Sequence, residues 1–241
     1  MGRLMALFIA GSIGMVLRFL FLGKFELNQL LSLLLFPAGI LILLLIHTWQ
    51  MKRDSNYIPN HPEDTWNTHI GERYSSGKKI LYKGNVKQGE YHRFYRHWWQ
   101  HAFNEVVEGD GKWFMNLSFY LQNGDHFTFA DQKKKIFRSN GTWHIYQNDQ
   151  MIGKVKTDYS LKNSAKLQEG LFLELEDSTY YYKSISMDSK TEVLLNNRVI
   201  ARGKRSALLK SQYHFEAVES FKGIEALLMM TFILFNYIHH K

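Results

Sequence analysis

Residues 226–238 read ALLMMTFILFNYI, an uncharged apolar run near the end of a chain that is otherwise rich in β-hairpin signals. As an α-helix this run reaches about 20 Å, which is short of the roughly 30 Å hydrocarbon core of a bilayer. A helix that is apolar on every face needs an apolar sleeve around it, and a closed β-barrel provides one. The run therefore predicts a helix buried inside a barrel. The alternative is a further membrane span, which would place the β-rich region outside the cell.

The first fifty residues form a chemically different region, because very few of their side chains are charged. Those that are charged are Arg3, Arg18, Lys24 and Glu26. Residues 4–22 and 27–46 are nearly continuous apolar stretches, each long enough to cross a bilayer as a helix. The link between them is so short that the two helices must be antiparallel. Pro37 in the second stretch predicts a kink rather than a break. The sequence thus predicts a transmembrane hairpin over residues 1–48.

The charges next to the hairpin predict its orientation. Lys52 and Arg53 follow the second apolar stretch, whereas the short link pairs Lys24 with Glu26. By the positive-inside rule both ends of the hairpin lie in the cytoplasm. The sequence therefore predicts a multi-pass protein of the cell membrane with its C-terminal domain in the cytoplasm. A secretory signal peptide is the less favoured alternative, because its basic segment would be Arg3 alone.

The rest of the chain is dominated by strand and turn signals. Residues 49–73 are polar and contain Pro59 and Pro62, which predicts a linker. From residue 74 onward, short alternating segments are separated by turn pairs. The clearest pairs are Asn123-Gly124, Asn140-Gly141, Asn148-Asp149 and Asn196-Asn197. Counting a strand near residues 91–97, the pattern predicts about twelve strands in a closed all-β barrel over residues 74–241, with a central helix at about 222–238.

Two hairpin segments have closely similar patterns. WHIYQNDQMIGKVK (143–156) and TEVLLNNRVIARGK (191–204) each combine a strand, a turn of Asn and Asp residues, an apolar pair, a small residue and a basic end. A duplicated structural unit explains this similarity, and so does convergence under the same hairpin rules.

This layout resembles the tubby C-terminal-like superfamily, which includes tubby proteins, phospholipid scramblases and LURP-one-related proteins, and here suggests a membrane-anchored, bacterial-type member. The best local matches are Gly141-Thr142-Trp143, Ile152-Gly153-Lys154 and residues 224–238. The resemblance implies a twelve-stranded barrel around a central helix, and a role in binding phosphoinositides or in lipid movement. The chain has no Cys-rich palmitoylation segment and no acidic calcium loop, so the resemblance does not imply a calcium-triggered scramblase.

The segment YHRFYRHWWQHAF (91–103) concentrates aromatic, basic and imidazole side chains. As a strand or interfacial segment it predicts an edge that contacts lipid headgroups through Arg93, Arg96, Trp98 and Trp99. As a helix it places His97, His101 and Glu105 on one face, which could bind a metal ion. That spacing differs from H-E-x-x-H, because Trp98 stands where the glutamate is needed. A metal-dependent membrane hydrolase is therefore the weaker alternative.

Two further basic clusters are candidates for lipid contact. They are Lys133, Lys134 and Lys135 with Arg138, and Arg198, Arg202, Lys204 and Arg205. Each basic side chain near an anionic leaflet contributes about 1 kcal/mol, so several together would matter. Ordinary packing of aromatic residues at the barrel rim, with basic residues for solubility, is the competing interpretation of all these sites.

Signatures of catalysis are missing from the sequence. There is no G-x-S-x-G, P-loop or G-x-G-x-x-G motif, and the absence of cysteine excludes a thiol nucleophile and a thiolate metal site. Glu174 and Glu176 share one strand face, which is more typical of a solvated surface than of an acid/base pair. The sequence predicts no cofactor and no nucleic-acid partner. It predicts a non-enzymatic tubby-like domain that binds anionic lipid headgroups or a protein partner at the cytoplasmic membrane surface.

Overall fold

The computed structural model describes residues 2–24, 26–59, 64–73, 76–107, 114–132, 141–159, 168–185, 190–207 and 210–239 of the 241-residue chain. The helices within these ranges are α1 (Gly2–Leu22), α2 (Leu27–Ser55), α3 (Trp98–Val107) and α4 (Glu225–His239), with a 3-10 helix over Glu219–Ile224 just before α4.

The strands of the described residues make up one sheet. They are β1 (Trp66–His69), β2 (Lys79–Lys83), β3 (Val86–Phe94), β4 (Asn116–Leu121), β5 (His126–Asp131), β6 (Thr142–Gln147), β7 (Gln150–Thr157), β8 (Gln168–Leu175), β9 (Thr179–Ile185), β10 (Lys190–Leu195), β11 (Arg198–Ala207) and β12 (Lys210–Ala217).

The sheet is a closed antiparallel barrel. Each strand pairs with its neighbours in sequence, and β12 also pairs with β1, so that Trp66 lies opposite Phe215. Closure leaves no strand with an unpaired edge. Inward-facing residues of every strand contribute to one aromatic and aliphatic core. The predicted fold class is confirmed: an N-terminal pair of apolar helices is followed by a twelve-stranded barrel that encloses a C-terminal helix.

The chain divides into two compact units. One comprises Met1–Lys52 and Tyr95–Phe114, and the other comprises Arg53–Phe94 and Met115–Lys241, which includes the barrel and α4. In the first unit, α1 and α2 are long and apolar enough to cross a membrane, with mean hydropathies of 2.1 and 2.6. None of the residues of α1 is buried in the protein. The helix α2 continues through Pro37.

The helix α4 fills the barrel. Glu225 and every residue from Leu228 to Tyr237 are buried. By length and composition Glu219–His239 is also able to cross a membrane. However, 61% of its most apolar 18-residue stretch is buried inside the protein. The prediction of a buried helix at residues 226–238 is confirmed, and the alternative of a third span is not adopted.

Charged side chains hold both ends of α4. At its N-terminus the buried carboxylate of Glu225 lies 2.7 Å from Lys83 Nζ. Near its C-terminus Arg73 Nη1 donates a hydrogen bond of 3.1 Å to the carbonyl of Asn236. An anion at the start and a cation at the end of a helix both match the helix dipole. The two interactions therefore stabilise α4 in one direction inside the barrel.

Three hairpins of the barrel share one irregularity. The β2–β3, β6–β7 and β10–β11 pairs each shift register on the strand after the turn, and the extra residues of these β-bulges are Gln88, Ile152 and Ile200. The residue after each bulge is small, and these residues are Gly89, Gly153 and Ala201. The similarity between residues 143–156 and 191–204 thus extends to the same bulge at the same position.

The barrel begins earlier in the chain than the sequence predicts. The strand β1 lies inside residues 49–73, which the sequence assigns to a linker, so that assignment is wrong for Trp66–His69. Four residues give too little periodicity to indicate a strand, and β1 is stabilised by pairing with β2 and β12. The strand expected near residues 91–97 is β3, which ends at Phe94.

Candidate functional site

A groove of about 940 Å³ runs over the outer face of the barrel across β9 to β12. It extends from Gln168 at the start of β8 to Thr65 just before β1. This volume is typical of sites that bind small molecules or headgroups. Side chains alternate between the two faces of a strand, and the charged residues of the lining are on the outward-facing side. We call this surface the β9–β12 groove.

One row of side chains across the groove alternates in charge. Lys183 on β9 lies opposite Glu192 on β10, which lies opposite Arg202 on β11, which in turn lies opposite Glu216 on β12. Lys183 Nζ is 2.9 Å from Glu192 Oε2. Opposite charges on neighbouring strands stabilise a sheet. The positive and negative charges of this row therefore balance one another.

The next row along the same strands brings two lysines and a histidine together. Lys190 on β10 lies opposite Lys204 on β11, which lies opposite His214 on β12. Lys190 and Lys204 are both exposed. Like charges directly opposite each other in a sheet are unfavourable, and an anion bound between them would relieve that repulsion. The two lysines give the β9–β12 groove its excess of positive charge.

His214 is held in one orientation at the end of this row. Asn67 Nδ2 donates to the carbonyl of Thr65 at 2.8 Å, which turns Asn67 Oδ1 toward His214 Nδ1. Because an amide oxygen accepts, His214 Nδ1 donates to Asn67, and His214 Nε2 lies 2.5 Å from the hydroxyl oxygen of Ser206. The ring is a fixed part of the groove floor.

Ser206, His214 and Asn67 lie in the order of a nucleophile, a base and an orienting residue. The orienting group is an amide, which carries no charge to stabilise an imidazolium. The arrangement accounts for the fixed imidazole, and the groove as a whole is lined by hydroxyl and ammonium donors.

Glu174, which the sequence singled out together with Glu176, is an ion-pair residue. Its carboxylate lies 3.0 Å from Lys154 Nζ and 2.7 Å from Lys156 Nζ on the neighbouring strand β7. Partial burial acts to raise the pKa of Glu174, but the hydrogen bonds and charges of the two lysines outweigh it and lower the pKa. Glu174 is therefore held in its ionised form by an ion-pair cluster on the partly exposed surface of β7 and β8.

A cluster of charged residues is buried at the end of the barrel that holds the C-terminal end of α4. Asp54 accepts hydrogen bonds from His69 Nδ1 at 2.5 Å, from Gly71 N at 2.8 Å and from Glu72 N at 2.9 Å. Its carboxylate also lies 3.8 Å from Lys79 Nζ. These side chains are at most 5% exposed, so a substrate has no access to them.

The ammonium group of Lys79 stays charged in this buried position. Burial acts to lower the pKa of Lys79, but the neighbouring Tyr237, Asp54 and Glu72 outweigh it and raise the pKa. A buried charge is tolerated only where it is paired and hydrogen-bonded. The cluster therefore has the properties of a structural tie inside the barrel unit.

The structure separates the lipid-contact residues that the sequence grouped together. Arg93 lies on the inward face of β3, is fully buried, and donates from Nη1 to the carbonyl of Arg73 at 3.3 Å. Placing it on a surface edge is therefore wrong, because strand alternation turns it inward with Tyr91. Arg96, Trp98 and Trp99 are exposed, at or just before the start of α3. Lys133, Lys134, Lys135 and Arg138 lie outside the described residues.

The candidate metal ligands are also distributed differently from the sequence expectation. His97 precedes α3 and stacks on Trp99 with ring centroids 6.1 Å apart, whereas His101 contacts the edge of Tyr95 at 5.1 Å. The side chain of Glu105 lies outside the described residues. Among the side chains that the structure describes, no three metal-ligating residues come together.

Sequence reasoning found only part of the β9–β12 groove. Arg202 and Lys204 belong to a cluster that it singled out, but Lys183, Lys190 and His214 do not. These residues come from separate strands, and only the register of the barrel brings them into rows. The available signal was the alternation of basic residues along β11.

The structure is thus a closed barrel around a buried apolar helix, with a groove lined by basic side chains on its outer wall. Residues 72–238 match the family model described as the Tubby C-terminal like domain. The match covers well over half of the chain, and the chain belongs to this family. No curated protein and no solved structure matches the chain. Membership of the family supports, in general, a non-enzymatic role in binding lipids or proteins.

Proposed function

We propose that this protein is a membrane-anchored, non-enzymatic module that binds anionic lipid headgroups in the β9–β12 groove at the cytoplasmic surface of the membrane. The observation that carries the proposal is the row in which Lys190 lies directly opposite Lys204 on the wall of the groove. Two ammonium groups and nearby hydroxyls are suited to the phosphate oxygens of a headgroup.

The N-terminal helices support the membrane part of the proposal. Both α1 and α2 have the length and composition of transmembrane helices. A barrel tethered in this way meets headgroups at high effective concentration, so even weak affinity in the groove would lead to occupancy. Lys52 and Arg53 at the end of α2 favour the cytoplasmic side for that end of the helix.

The proposal is tested by headgroup binding to the full-length protein in detergent. The probe is inositol trisphosphate, a soluble phosphoinositide headgroup, and the measurement is isothermal titration calorimetry at low salt. The double variant Lys190→Gln/Lys204→Gln removes two cations that each contribute about 1 kcal/mol near an anionic ligand. We expect its affinity to fall about 30-fold, which corresponds to about 2 kcal/mol.

The matched control is Lys154→Gln/Lys156→Gln on β7, which removes the same charge outside the groove. Equal weakening in both double variants would mean that net charge, and not the groove, attracts the probe. No binding by a folded wild-type protein would remove the lipid proposal and leave a protein partner. Covalent labelling of Ser206 by a fluorophosphonate probe would contradict the non-enzymatic part.

A further inference from the structure

The helix α3 lies in the connection between β3 and β4. Residues Tyr95–Phe114 belong to the same compact unit as α1 and most of α2, and α3 packs against α1. The barrel sequence is thus interrupted by a segment that associates with an apolar helix of the other unit.

The start of α3 is well defined by hydrogen bonds. Gln100 Oε1 accepts from the backbone N–H of Arg96 at 3.0 Å and from that of His97 at 3.3 Å. A glutamine three residues into a helix that reaches back to the cap residue is one half of a capping box. The backbone at the start of α3, and with it the direction of the first helical side chains, is therefore fixed.

An aromatic cluster holds one side of α3. The rings of Trp99 and Phe103 both meet the ring of Phe114 edge-on, at centroid distances of 5.4 and 6.4 Å. Phe114 is buried and adopts a φ of 55°, which is unfavourable for a residue with a side chain and persists only where packing imposes it. The aromatic cluster therefore fixes the C-terminal end of the segment, whereas the hydrogen bonds of Gln100 fix the start of α3.

Trp98 points away from this cluster. Consecutive residues of a helix face directions about 100° apart, and Trp98 is 85% exposed, whereas Trp99 is 37% exposed. An exposed indole in water is unfavourable, but indole rings are enriched at the interface between headgroups and hydrocarbon. The chemistry of Trp98 and of the neighbouring exposed Arg96 fits that interface.

We infer that α3 is an interfacial helix, and that Trp98 inserts into the boundary between lipid headgroups and hydrocarbon. The inference rests on the proposed membrane anchoring of α1. The helix α1 buries none of its residues in the protein and has the composition of a membrane span, so a segment packed against it lies at or in the bilayer. A short amphipathic helix with a tryptophan and a basic residue at its start is suited to the interface plane. The occupant of this surface is the bilayer.

The absence of cysteine makes the test direct. Trp98→Cys in the full-length protein is labelled with an environment-sensitive fluorophore, and the protein is placed in nanodiscs of zwitterionic lipid. We expect a blue-shifted emission that is quenched by lipids carrying a nitroxide at shallow depth and protected from aqueous iodide. Arg96→Cys, which removes no tryptophan, serves as a second site in case Trp98→Cys does not fold.

Two further labelled variants separate the possible outcomes. Leu20→Cys lies on α1 and is 69% exposed, and Val218→Cys follows β12 and is 52% exposed. With α1 in the membrane, the label at 20, near the end of the span, is quenched by nitroxides on the acyl chains and protected from iodide, whereas the label at 218 is quenched by iodide. If the label at 98 then behaves like the one at 218, the inference fails while the anchor stands.

A different result would overturn the anchoring itself. Iodide quenching at both 20 and 98 would mean that α1 is not in the bilayer, and the proposed function would fail with it. Protection at 98 that disappears on dilution of the protein in lipid would assign Trp98 to contacts between protein copies. The Lys190→Gln/Lys204→Gln variant is expected to leave the quenching at 98 unchanged, so groove binding and α3 insertion are measured separately.

Discussion

Asp54 shows how a single buried carboxylate can hold a local structure together. It is 1% exposed and receives hydrogen bonds from His69 and from the backbone of Gly71 and Glu72. Lys79 balances its charge at 3.8 Å. The residue belongs to the barrel unit, where it links residues 53–55 to the segments that carry β1 and β2.

We predict that Asp54→Ala destabilises the barrel unit by about 3 to 5 kcal/mol, because it removes a carboxylate that balances the buried ammonium of Lys79 and leaves the N–H groups of Gly71 and Glu72 without their acceptor. Asp54→Asn keeps the size and one acceptor oxygen, so it should be less destabilising than Asp54→Ala. The measurement is chemical denaturation of the full-length protein in detergent, followed by near-ultraviolet circular dichroism.

The control is Asp177→Ala in the turn between β8 and β9, where the carboxylate is exposed. It should change the free energy of unfolding by less than about 0.5 kcal/mol. A stability loss at Asp54 no greater than at Asp177 would show that the buried cluster is not a structural tie.

At the scale of elements, turn chemistry was the part of the sequence that predicted structure best. Asn148 and Asp149, and likewise Asn196 and Asn197, adopt φ values between 48° and 68°, as a type I′ hairpin turn requires. Asn and Asp tolerate this conformation better than other residues with side chains. The hairpins β6–β7 and β10–β11 were therefore predictable from four residues.

The bulges next to these turns were not predictable, because their cause lies on another strand. A Cβ atom on Gly153 would lie 2.6 Å from the carbonyl oxygen of Glu174 on β8, and one on Gly89 would lie 2.4 Å from that of Tyr120 on β4. The neighbouring strand approaches so closely at these points that a side chain does not fit. The Ile152-Gly153-Lys154 match to the tubby-like pattern has this physical basis.

We predict that Gly153→Ala destabilises the protein by about 1 to 3 kcal/mol, because the obstructing atom belongs to a backbone that cannot easily move. Gly223→Ala is the matched control, since a Cβ at that position meets nothing within 4 Å. Thermal unfolding of both variants in detergent gives the comparison. Similar unfolding temperatures for the two variants would mean that the strands move apart without penalty.

At the scale of the whole molecule, the sequence predicted the barrel and its buried helix but not how they fit. The apolar run is too short for a membrane span and follows a series of hairpins. These two features were enough to indicate a helix inside a barrel. The rows of the β9–β12 groove depend on strand register, and the position of α3 depends on contacts with α1. Both are long-range properties that periodicity along the chain does not contain.

The helix α4 and the barrel wall fit closely at Gly203. A Cβ atom on this residue of β11 would lie 2.3 Å from Cε2 of Phe232, which is 1% exposed and also packs on Phe215 at a centroid distance of 5.3 Å. The ring of Phe232 thus occupies the space that the missing side chain of Gly203 leaves in the wall.

A double-mutant cycle tests this complementarity. Gly203→Ala should destabilise the protein by about 1 to 3 kcal/mol through overpacking, and Phe232→Leu should destabilise it through lost packing. Because leucine frees the space that the new methyl group needs, the double variant should be more stable than the sum of the single effects predicts, with a coupling of at least about 0.5 kcal/mol. The free energy of unfolding is measured by chemical denaturation of the full-length protein. Additive effects would show that the barrel wall and α4 adjust independently, and that the helix fills the barrel without a specific fit at Gly203.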